Sequence, residues 1–313
     1  MDCSSVRWSG GPVGLGIPLS GQRSAHSAFS SMLSRFKFVD RCPKPTVDTG
    51  CTFCRPALPL PIKQGPLHNT AASPWKHVLI LSHGYRTIFD VPSNIYNVPG
   101  TAQKLRQLGS SRSPDFPVLI SHVFFSNYRE VPSKPENEVV YLYPDNLRIE
   151  FDRRHLQQFN DKYLLPANHQ PAQPVYNPFQ KPVPTVPHSA KVDSDSEPVD
   201  IDTPKSSLNS HDTQSVFSES PIDSSVFLVC GHNTRDERCG ILAPPIVEEL
   251  QKVGKETDIF GYITHVGGHA YAGNMIIYPE GIWYGRIVPE HVQGVVEAYG
   301  MGHVIRDLYR GPV

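Results

Sequence analysis

The sequence has no run of roughly eighteen apolar residues, the length that a membrane-spanning helix needs, so we expect no membrane span. It has no excess of charge either, because 29 lysines and arginines stand against 30 aspartates and glutamates. Proteins that bind a nucleic acid backbone normally carry a clear basic excess, and we therefore expect no nucleic acid partner. The motifs of phosphate-binding loops, dinucleotide-binding turns and G-x-S-x-G hydrolases are also absent from the sequence.

Apolar residues make up only 39% of the chain, whereas proline is abundant, with 31 residues. We therefore expect part of the chain to lie outside any packed core. Residues 1–37 contain nine serines, four basic residues and a single acidic residue, Asp2. This composition is typical of a mitochondrial transit peptide, with an unstructured tail as the alternative. We predict a mitochondrial protein, located in the matrix or the intermembrane space.

A second segment with little apolar content, residues 169–225, is rich in proline and serine. Such a segment buries too little apolar surface to offset the entropy that its ordering would cost. We predict a disordered linker here. It divides the chain into an N-terminal domain, residues 38–168, and a C-terminal domain, residues 226–313.

The two halves repeat the same order of predicted elements. In the C-terminal half, apolar runs and turn signals predict strands at Val226–Cys230, Ile259–His265, Asn274–Tyr278 and Ile282–Ile287, and helices at Ile241–Val253 and Pro289–Tyr299. In the N-terminal half they predict strands at Val78–Ser82, Val118–Phe124, Val139–Tyr143 and Leu147–Phe151, and helices at Gly100–Leu108 and Asp152–Tyr163. Each half therefore has the order βαβββα.

Two short sequence echoes support a duplication. The residues Tyr143–Leu147 match Tyr278–Ile282, and Ile120–Val123 match Ile263–Val266. The order βαβββα is that of a thioredoxin-like α/β sandwich. The predicted fold class is therefore α/β, with two tandem thioredoxin-like domains, each with a mixed sheet, joined by the long linker.

The densest group of chemically active side chains lies in the C-terminal half, in the sequences CGHNTRDERCG and HVGGH. Cys230 ends a predicted strand and Cys239 stands just before a predicted helix. His265 ends the next strand, and His269 follows two glycines, Gly267–Gly268, which let the backbone curl close to a ligand. Because such strand ends meet at one edge of a sheet, we expect the two thiols and two imidazoles to face a common point.

Three interpretations fit these residues. They could be buried thiols and hydrogen-bonded histidines, or a structural zinc site, since thiolate and imidazole both suit Zn²⁺. They could also hold a [2Fe–2S] cluster, for which two cysteines and two histidines are the ligand set of Rieske-type centres. The eight-residue spacer between the cysteines is longer than is usual for zinc and suits a wider cluster better. Arg235 and Arg238 lie within that spacer and would either offset the negative charge of a cluster or belong to a solvated loop.

The sequences CGHNTRDERCG, HVGGHAYAGN and IWYGRIVPEH resemble the fungal sucrase/ferredoxin-like family of thioredoxin-fold ferredoxins. The resemblance covers roughly residues 40–165 and 224–313 and leaves out the linker. It implies a [2Fe–2S] cofactor held by four ligands at matching spacing: Cys230, Cys239, His265 and His269. In the N-terminal copy, Ser82, His122 and Ser126 stand near the places of Cys230, His265 and His269, so we expect no cluster there.

A separate group of cysteines precedes the first strand of the N-terminal half: Cys42, Cys51 and Cys54. The C-x-x-C pair, Cys51 and Cys54, is a candidate pair of catalytic redox thiols, with half of a metal site or incidental thiols as alternatives. The family resemblance implies a link to mitochondrial thiol redox control, which favours the first.

We therefore predict an electron-transfer or thiol redox maintenance protein with a [2Fe–2S] cluster and an unidentified redox partner protein. Two alternatives remain at this point. One is a zinc-stabilised interaction module without redox function, and the other is a thiol–disulfide oxidoreductase that uses Cys51 and Cys54.

Overall fold

The computed structural model describes residues 33–81, 84–109, 115–166 and 215–311. The predicted transit peptide up to residue 32, and the predicted linker up to residue 214, lie outside these described residues, as does Ser82. No helix in the described ranges combines the length and the apolar character required to cross a bilayer.

The elements are named here in chain order. The strands are β1 (Lys37–Val39), β2 (Lys76–Ile80), β3 (Val118–Phe125), β4 (Asn137–Tyr143), β5 (Leu147–Asp152), β6 (Phe217–Pro221), β7 (Val226–Cys230), β8 (Ile259–Ile263), β9 (Met275–Tyr278), β10 (Ile282–Tyr284) and β11 (His303–Ile305). The helices are α1 (Thr101–Leu108), α2 (Leu156–Tyr163), α3 (Glu237–Val253) and α4 (Pro289–Gly300).

Nine of the strands form one mixed sheet in the order β10-β9-β7-β8-β3-β2-β4-β5-β6. Within each half, the first strand runs parallel to the second and antiparallel to the third, which in turn pairs with the fourth. The two halves therefore share one strand arrangement, as the predicted repeat requires. They are not separate sheets, because β3 and β8 pair in antiparallel fashion and join them. The fold is mixed α/β with a mixed sheet, as predicted.

The predicted elements are all present with small shifts at their ends. The largest shifts, of four residues each, are at the starts of α2 and α3. α2 begins at Leu156 rather than at Asp152, because residues 153–155 form a 3-10 turn. α3 begins at Glu237 rather than at Ile241, because the side chain of Asp236 accepts a hydrogen bond from the backbone of Arg238 and caps the helix. Cys239 consequently lies in the first turn of the helix, and not before it. Three short strands lie outside the predicted elements: β1, β6 and β11.

The strand β6 lies within residues 169–225, which the sequence analysis assigned to a disordered linker. It forms the outer edge of the sheet next to β5. The ring of Phe217 packs against Phe151 and Tyr163, with centroid distances of 5.7 and 5.3 Å. The end of this segment is therefore ordered, although its average composition favours disorder. Phe217 packs into the aromatic cluster, and β6 pairs with the otherwise free edge of β5.

The sheet curls strongly around the junction of its two halves. Tyr143 of β4 and Tyr278 of β9 lie five strands apart in the sheet order, yet their rings stack with centroids 3.9 Å apart. His77 of β2 is completely buried between the hydroxyl groups of Tyr278 and Ser121, at 2.6 and 2.9 Å from its two ring nitrogens. One face of each half thus packs against the other half.

Residues 33–71 form an arm that lies on the C-terminal half, although the arm precedes the N-terminal half in the chain. β1 pairs in parallel with β11, and Cys42 packs against Gly294 of α4. Further along the arm, the backbone N–H of Lys63 donates to the carbonyl of Ala270 at 2.8 Å. The arm therefore carries the three N-terminal cysteines to the half that holds the candidate cluster ligands.

Candidate functional site

The two C-terminal cysteines lie side by side at one edge of the sheet. Cys230 is the last residue of β7, between β8 and β9, and Cys239 lies in the first turn of α3. Both side chains are 1% exposed, and both are free thiols in hydrogen-bond contact with each other. The end of a strand and the start of a helix thus bring together residues that are nine positions apart.

The surroundings of Cys230 favour its thiolate. Hydrogen bonds from Cys239, from the imidazole of His265 and from the backbone N–H of His232 hold the pKa of Cys230 well below its ordinary value, against the opposing effect of burial. The pKa of Cys239 is raised, because its thiol donates to Cys230 and is itself buried. The pair therefore consists of one thiolate, Cys230, and one thiol, Cys239. A metal that bound both sulfur atoms would displace the one remaining thiol proton.

His265 and His269 lie on the turn that follows β8, and their ring centroids are 5.4 Å apart. His265 is half-buried against Cys230, whereas His269 is exposed to solvent. Gly267 and Gly268 lie between them with φ values of 92° and 73°, which side chains rarely tolerate. The structure thus brings the four predicted ligands into one chain of neighbours.

Arg310 supports the turn that carries the two histidines. No feature of the sequence predicted this role. Its side chain is fully buried. One terminal nitrogen donates to Asn274 Oδ1 at 2.7 Å and to the carbonyl of Gly267 at 3.3 Å, and the other donates to the carbonyl of Thr70 at 2.6 Å. The arm, the turn between the histidines and the start of β9 are therefore tied together by one guanidinium group.

Arg310 also offsets the negative charge of the cysteines. Burial lowers the pKa of Arg310 to about 10, while the charges of Cys230 and Cys239 act in the opposite direction. The guanidinium group of Arg310 therefore stays positively charged at neutral pH, close to the two cysteines.

His232, the third residue of the CGHN sequence, is another residue whose role the sequence did not reveal. It is buried, and burial lowers its pKa, so its ring is neutral. Its Nδ1 accepts a hydrogen bond from the backbone N–H of His265 at 3.1 Å, and its Nε2 donates to the carbonyl of Pro92 at 3.0 Å. His232 therefore fixes the histidine turn relative to a loop of the N-terminal half.

The four side chains fit a soft metal group by their chemistry. Thiolate and imidazole are the donors that zinc and iron–sulfur clusters take in proteins, and the lowered pKa of Cys230 supplies one donor already deprotonated. Among the described residues, no three or more His, Cys, Asp or Glu side chains are grouped closely enough to hold a metal ion. The two cysteines and two histidines are therefore in contact with one another, but they do not surround a common point as the ligands of a bound metal ion would.

The two arginines of the spacer have different surroundings. Arg238 is buried, pairs with Asp236 at 2.8 Å and donates to the carbonyl of Pro61 at 2.8 Å. It thereby connects the capped start of α3 to the arm. Arg235 is exposed and lines a cavity beside His265.

The N-terminal cysteines lie far from this site. Cys51 is within 3.1 Å of Lys252, which belongs to the last turn of α3, whereas Cys239 belongs to its first turn. At about 1.5 Å per residue, the two ends are about 20 Å apart. Cys54 is exposed on the same turn as Cys51, and Cys42 is packed on α4 with its pKa raised by burial to about 12. The two groups of cysteines are thus separate sites.

One of the two sequence echoes aligns the halves correctly. In the sheet, Tyr143 faces His77 of β2, and Tyr278 faces Val226 of β7. Because the two tyrosines end equivalent strands, His77 and Val226 are equivalent too. The segments Tyr143–Leu147 and Tyr278–Ile282 therefore match in structure as well as in sequence.

The other echo is out of register, and the predicted place of His122 is wrong. By the same alignment Ile80 is equivalent to Val229; Ile80 faces His122, whereas Val229 faces Tyr262. His122 thus corresponds to Tyr262, and the counterpart of His265 is Phe125. The hydroxyl of Ser126 donates to a backbone carbonyl of β8 at 3.0 Å. His122 instead lines a cavity of about 420 Å³ at the start of α1.

The sequence matches the model of a known protein family over most of its length. The sucrase/ferredoxin-like family matches residues 67–311, which is most of the chain, so the protein belongs to that family. This confirms the resemblance to the sucrase/ferredoxin-like family. No solved structure matches the chain.

Among its relatives are proteins named "Altered inheritance of mitochondria protein 32" from three yeasts. The protein of Meyerozyma guilliermondii is 38% identical over 299 residues, which cover 88% of this chain and 96% of the relative. That of Clavispora lusitaniae is 38% identical over 288 residues, covering 88% and 95%. That of Debaryomyces hansenii is 36% identical over 296 residues, covering 88% and 97%. These relatives thus match the chain across both halves.

Proposed function

We propose that the protein is a mitochondrial [2Fe–2S] ferredoxin in which Cys230, Cys239, His265 and His269 hold the cluster. The observation that carries the proposal is the unbroken series of contacts from Cys239 through Cys230 to His265 and on to His269. Membership of the sucrase/ferredoxin-like family supports it, and the names of the relatives link them to mitochondria. When bound, such a cluster supplies one-electron oxidation and reduction.

We also propose that each half is a thioredoxin-like unit. The strand orders β3-β2-β4-β5 and β8-β7-β9-β10, with the first two strands of each half parallel, support this assignment. In such a unit the loop after the first strand and the start of the following helix lie at one edge of the sheet. Cys230 and Cys239 occupy those two positions in the C-terminal half.

The residues of the chain have distinct roles in this proposal. Cys230 and Cys239 are buried and shielded from solvent, and Arg310 offsets part of the negative charge that the thiolates bring. His269 is exposed, so it forms the edge of the site that a partner protein can approach. We propose that electrons pass through this edge, to or from a redox partner protein or in the maintenance of thiols.

The direct test is chemical analysis of the full-length protein purified without oxygen. Two irons and two acid-labile sulfides per chain, with visible absorption that reduction bleaches, are the expected result. A colourless protein that carries one zinc ion per chain would instead support the interaction module. A protein that binds neither metal after reconstitution with iron and sulfide would contradict the proposal.

A second candidate function is thiol–disulfide exchange at Cys51 and Cys54. The observation that favours it is the exposure of Cys54 on the same turn as Cys51, as an attacking thiol requires. Contact with Glu248 raises the pKa of Cys51, and the nearby Lys252 opposes this only in part. We therefore assign Cys54 as the attacking thiol and Cys51 as the resolving one.

This second function has its own test, because the two sites are at opposite ends of α3. Cys54→Ser should abolish the reduction of a small disulfide substrate and leave the iron content unchanged. Cys42→Ser is the matched control, since Cys42 is packed against α4. Equal exchange rates in Cys54→Ser and the unaltered protein would rule this function out.

A further inference from the structure

A cavity of about 240 Å³ lies where the two halves meet, beside the histidine turn. The N-terminal half contributes residues 93–96, the side chain of Arg106 on α1 and part of β3. The C-terminal half contributes His232, Arg235 and His265. Neither half forms the cavity alone.

The charge of this cavity is of one sign. None of the described residues that line it is an aspartate or a glutamate, whereas two are arginines. Arg235 is exposed and forms no ion pair with any described residue, because the neighbouring Asp236 is engaged by Arg238. The guanidinium of Arg106 lies over the ring of Tyr96 at 4.4 Å, which holds it at the wall of the cavity. Two guanidinium groups around one small cavity repel each other unless an anion lies between them.

The volume of the cavity and its other lining residues limit which ligands could bind there. Leu119 and Ile120 of β3 add apolar residues to the lining. A volume of about 240 Å³ is below the roughly 300 Å³ at which pockets for larger organic ligands begin. Guanidinium groups bind carboxylate and phosphate oxygens in pairs of parallel hydrogen bonds. We propose that this cavity binds a small oxyanion, a phosphate or a short dicarboxylate, between Arg106 and Arg235.

The proposed site goes beyond the cluster and does not depend on it. Its two arginines are not among the proposed cluster ligands, and they come from different halves of the chain. An oxyanion bound there would bridge α1 and the loop between the two cysteines. It would therefore add a connection between the halves beside the one that His232 makes.

The test is calorimetric titration of the full-length protein with two probes, inorganic phosphate and succinate, at low ionic strength. We expect saturable binding of at least one probe, and at least tenfold weaker binding in Arg106→Ala and in Arg235→Ala. Arg106→Lys and Arg235→Lys should fall between, since they keep the charge but lose the paired donors. Arg41→Ala is the control, because Arg41 is exposed on the arm and lines none of the cavities described here.

The outcomes are distinct. Preference for phosphate or for succinate identifies the source of the oxyanion. Unchanged affinity in both alanine variants, or no binding of either probe to the unaltered protein, would overturn the proposal. Cys230→Ser should still bind the probe. If the unaltered protein binds a probe but no iron, only the proposed cluster is contradicted. If it binds iron but neither probe, only the proposed oxyanion site is contradicted.

Discussion

The guanidinium group of Arg310 packs directly against Gly268, so that a side chain at position 268 would overlap with it. Gly268 adopts a φ of 73°, and the neighbouring Gly267 a φ of 92°. A Cβ at Gly267, by contrast, would meet no atom within 4 Å. The two glycines thus share their backbone conformation and differ in the space around them.

This difference gives the first prediction. Gly268→Ala should lower the free energy of unfolding by about 1–3 kcal/mol more than Gly267→Ala, because only the former displaces Arg310. It should also reduce the iron content after reconstitution, since the turn between the two histidines loses its support. Chemical denaturation and iron analysis of both variants provide the measurement. Equal losses in the two variants would show that backbone strain alone matters at this turn.

The second prediction concerns the ligands. Thiolate donates more charge to iron than neutral imidazole does, and clusters with histidine ligands have higher reduction potentials than all-cysteine ones. His265→Cys or His269→Cys should therefore keep a cluster with a lower midpoint potential. Cys230→Ser or Cys239→Ser should lose most of the iron, because a hydroxyl is a poor ligand at a soft site. Redox titration with iron analysis checks both. A raised potential in the cysteine variants would contradict histidine ligation.

The third prediction concerns acid stability. Burial lowers the pKa of His77 from 6.5 to about 3, so the unfolded chain takes up a proton that the folded protein excludes. Stability should therefore fall as the pH drops below 6.5, by about 2 kcal/mol for this residue between pH 7 and pH 5. His77→Gln should show a shallower pH dependence in urea unfolding, whereas the exposed His68→Gln should keep the original slope. An unaltered slope in His77→Gln would mean that other groups dominate.

The fourth prediction concerns the N-terminal half. His122→Ala should leave the iron content and the visible spectrum unchanged, because the sheet register assigns Phe125, not His122, to the place of the proposed ligand His265. Some loss of stability is expected, since His122 is buried. Loss of iron in His122→Ala combined with full iron in His269→Ala would contradict the site assignment.

The sequence was sufficient to predict the repeated element order and the neighbourhood of the four candidate ligands. Strand and helix periodicity and the placement of glycines act over short distances, and these signals are visible in one chain. The alignment of the echo at His122 failed because a match of four residues can arise by chance: Ile120–Val123 lie inside β3, whereas Ile263–Val266 run from the last residue of β8 into the following turn. Arg310 could not be predicted, because its role depends on contacts with Thr70 and Asn274 that are remote in sequence.

The arm of residues 33–71 has a consequence for the order in which the molecule is built. Lys37 of β1 pairs with His303 of β11, near the other end of the chain. During synthesis from the N-terminus, the arm emerges long before the surface on which it docks. Contacts between such distant residues form late, since closing a long loop is entropically costly. The earliest described residues therefore reach their native contacts only once residues 303–305 are present, and until then Cys42 and Cys51, which the folded protein covers, are open to oxidation.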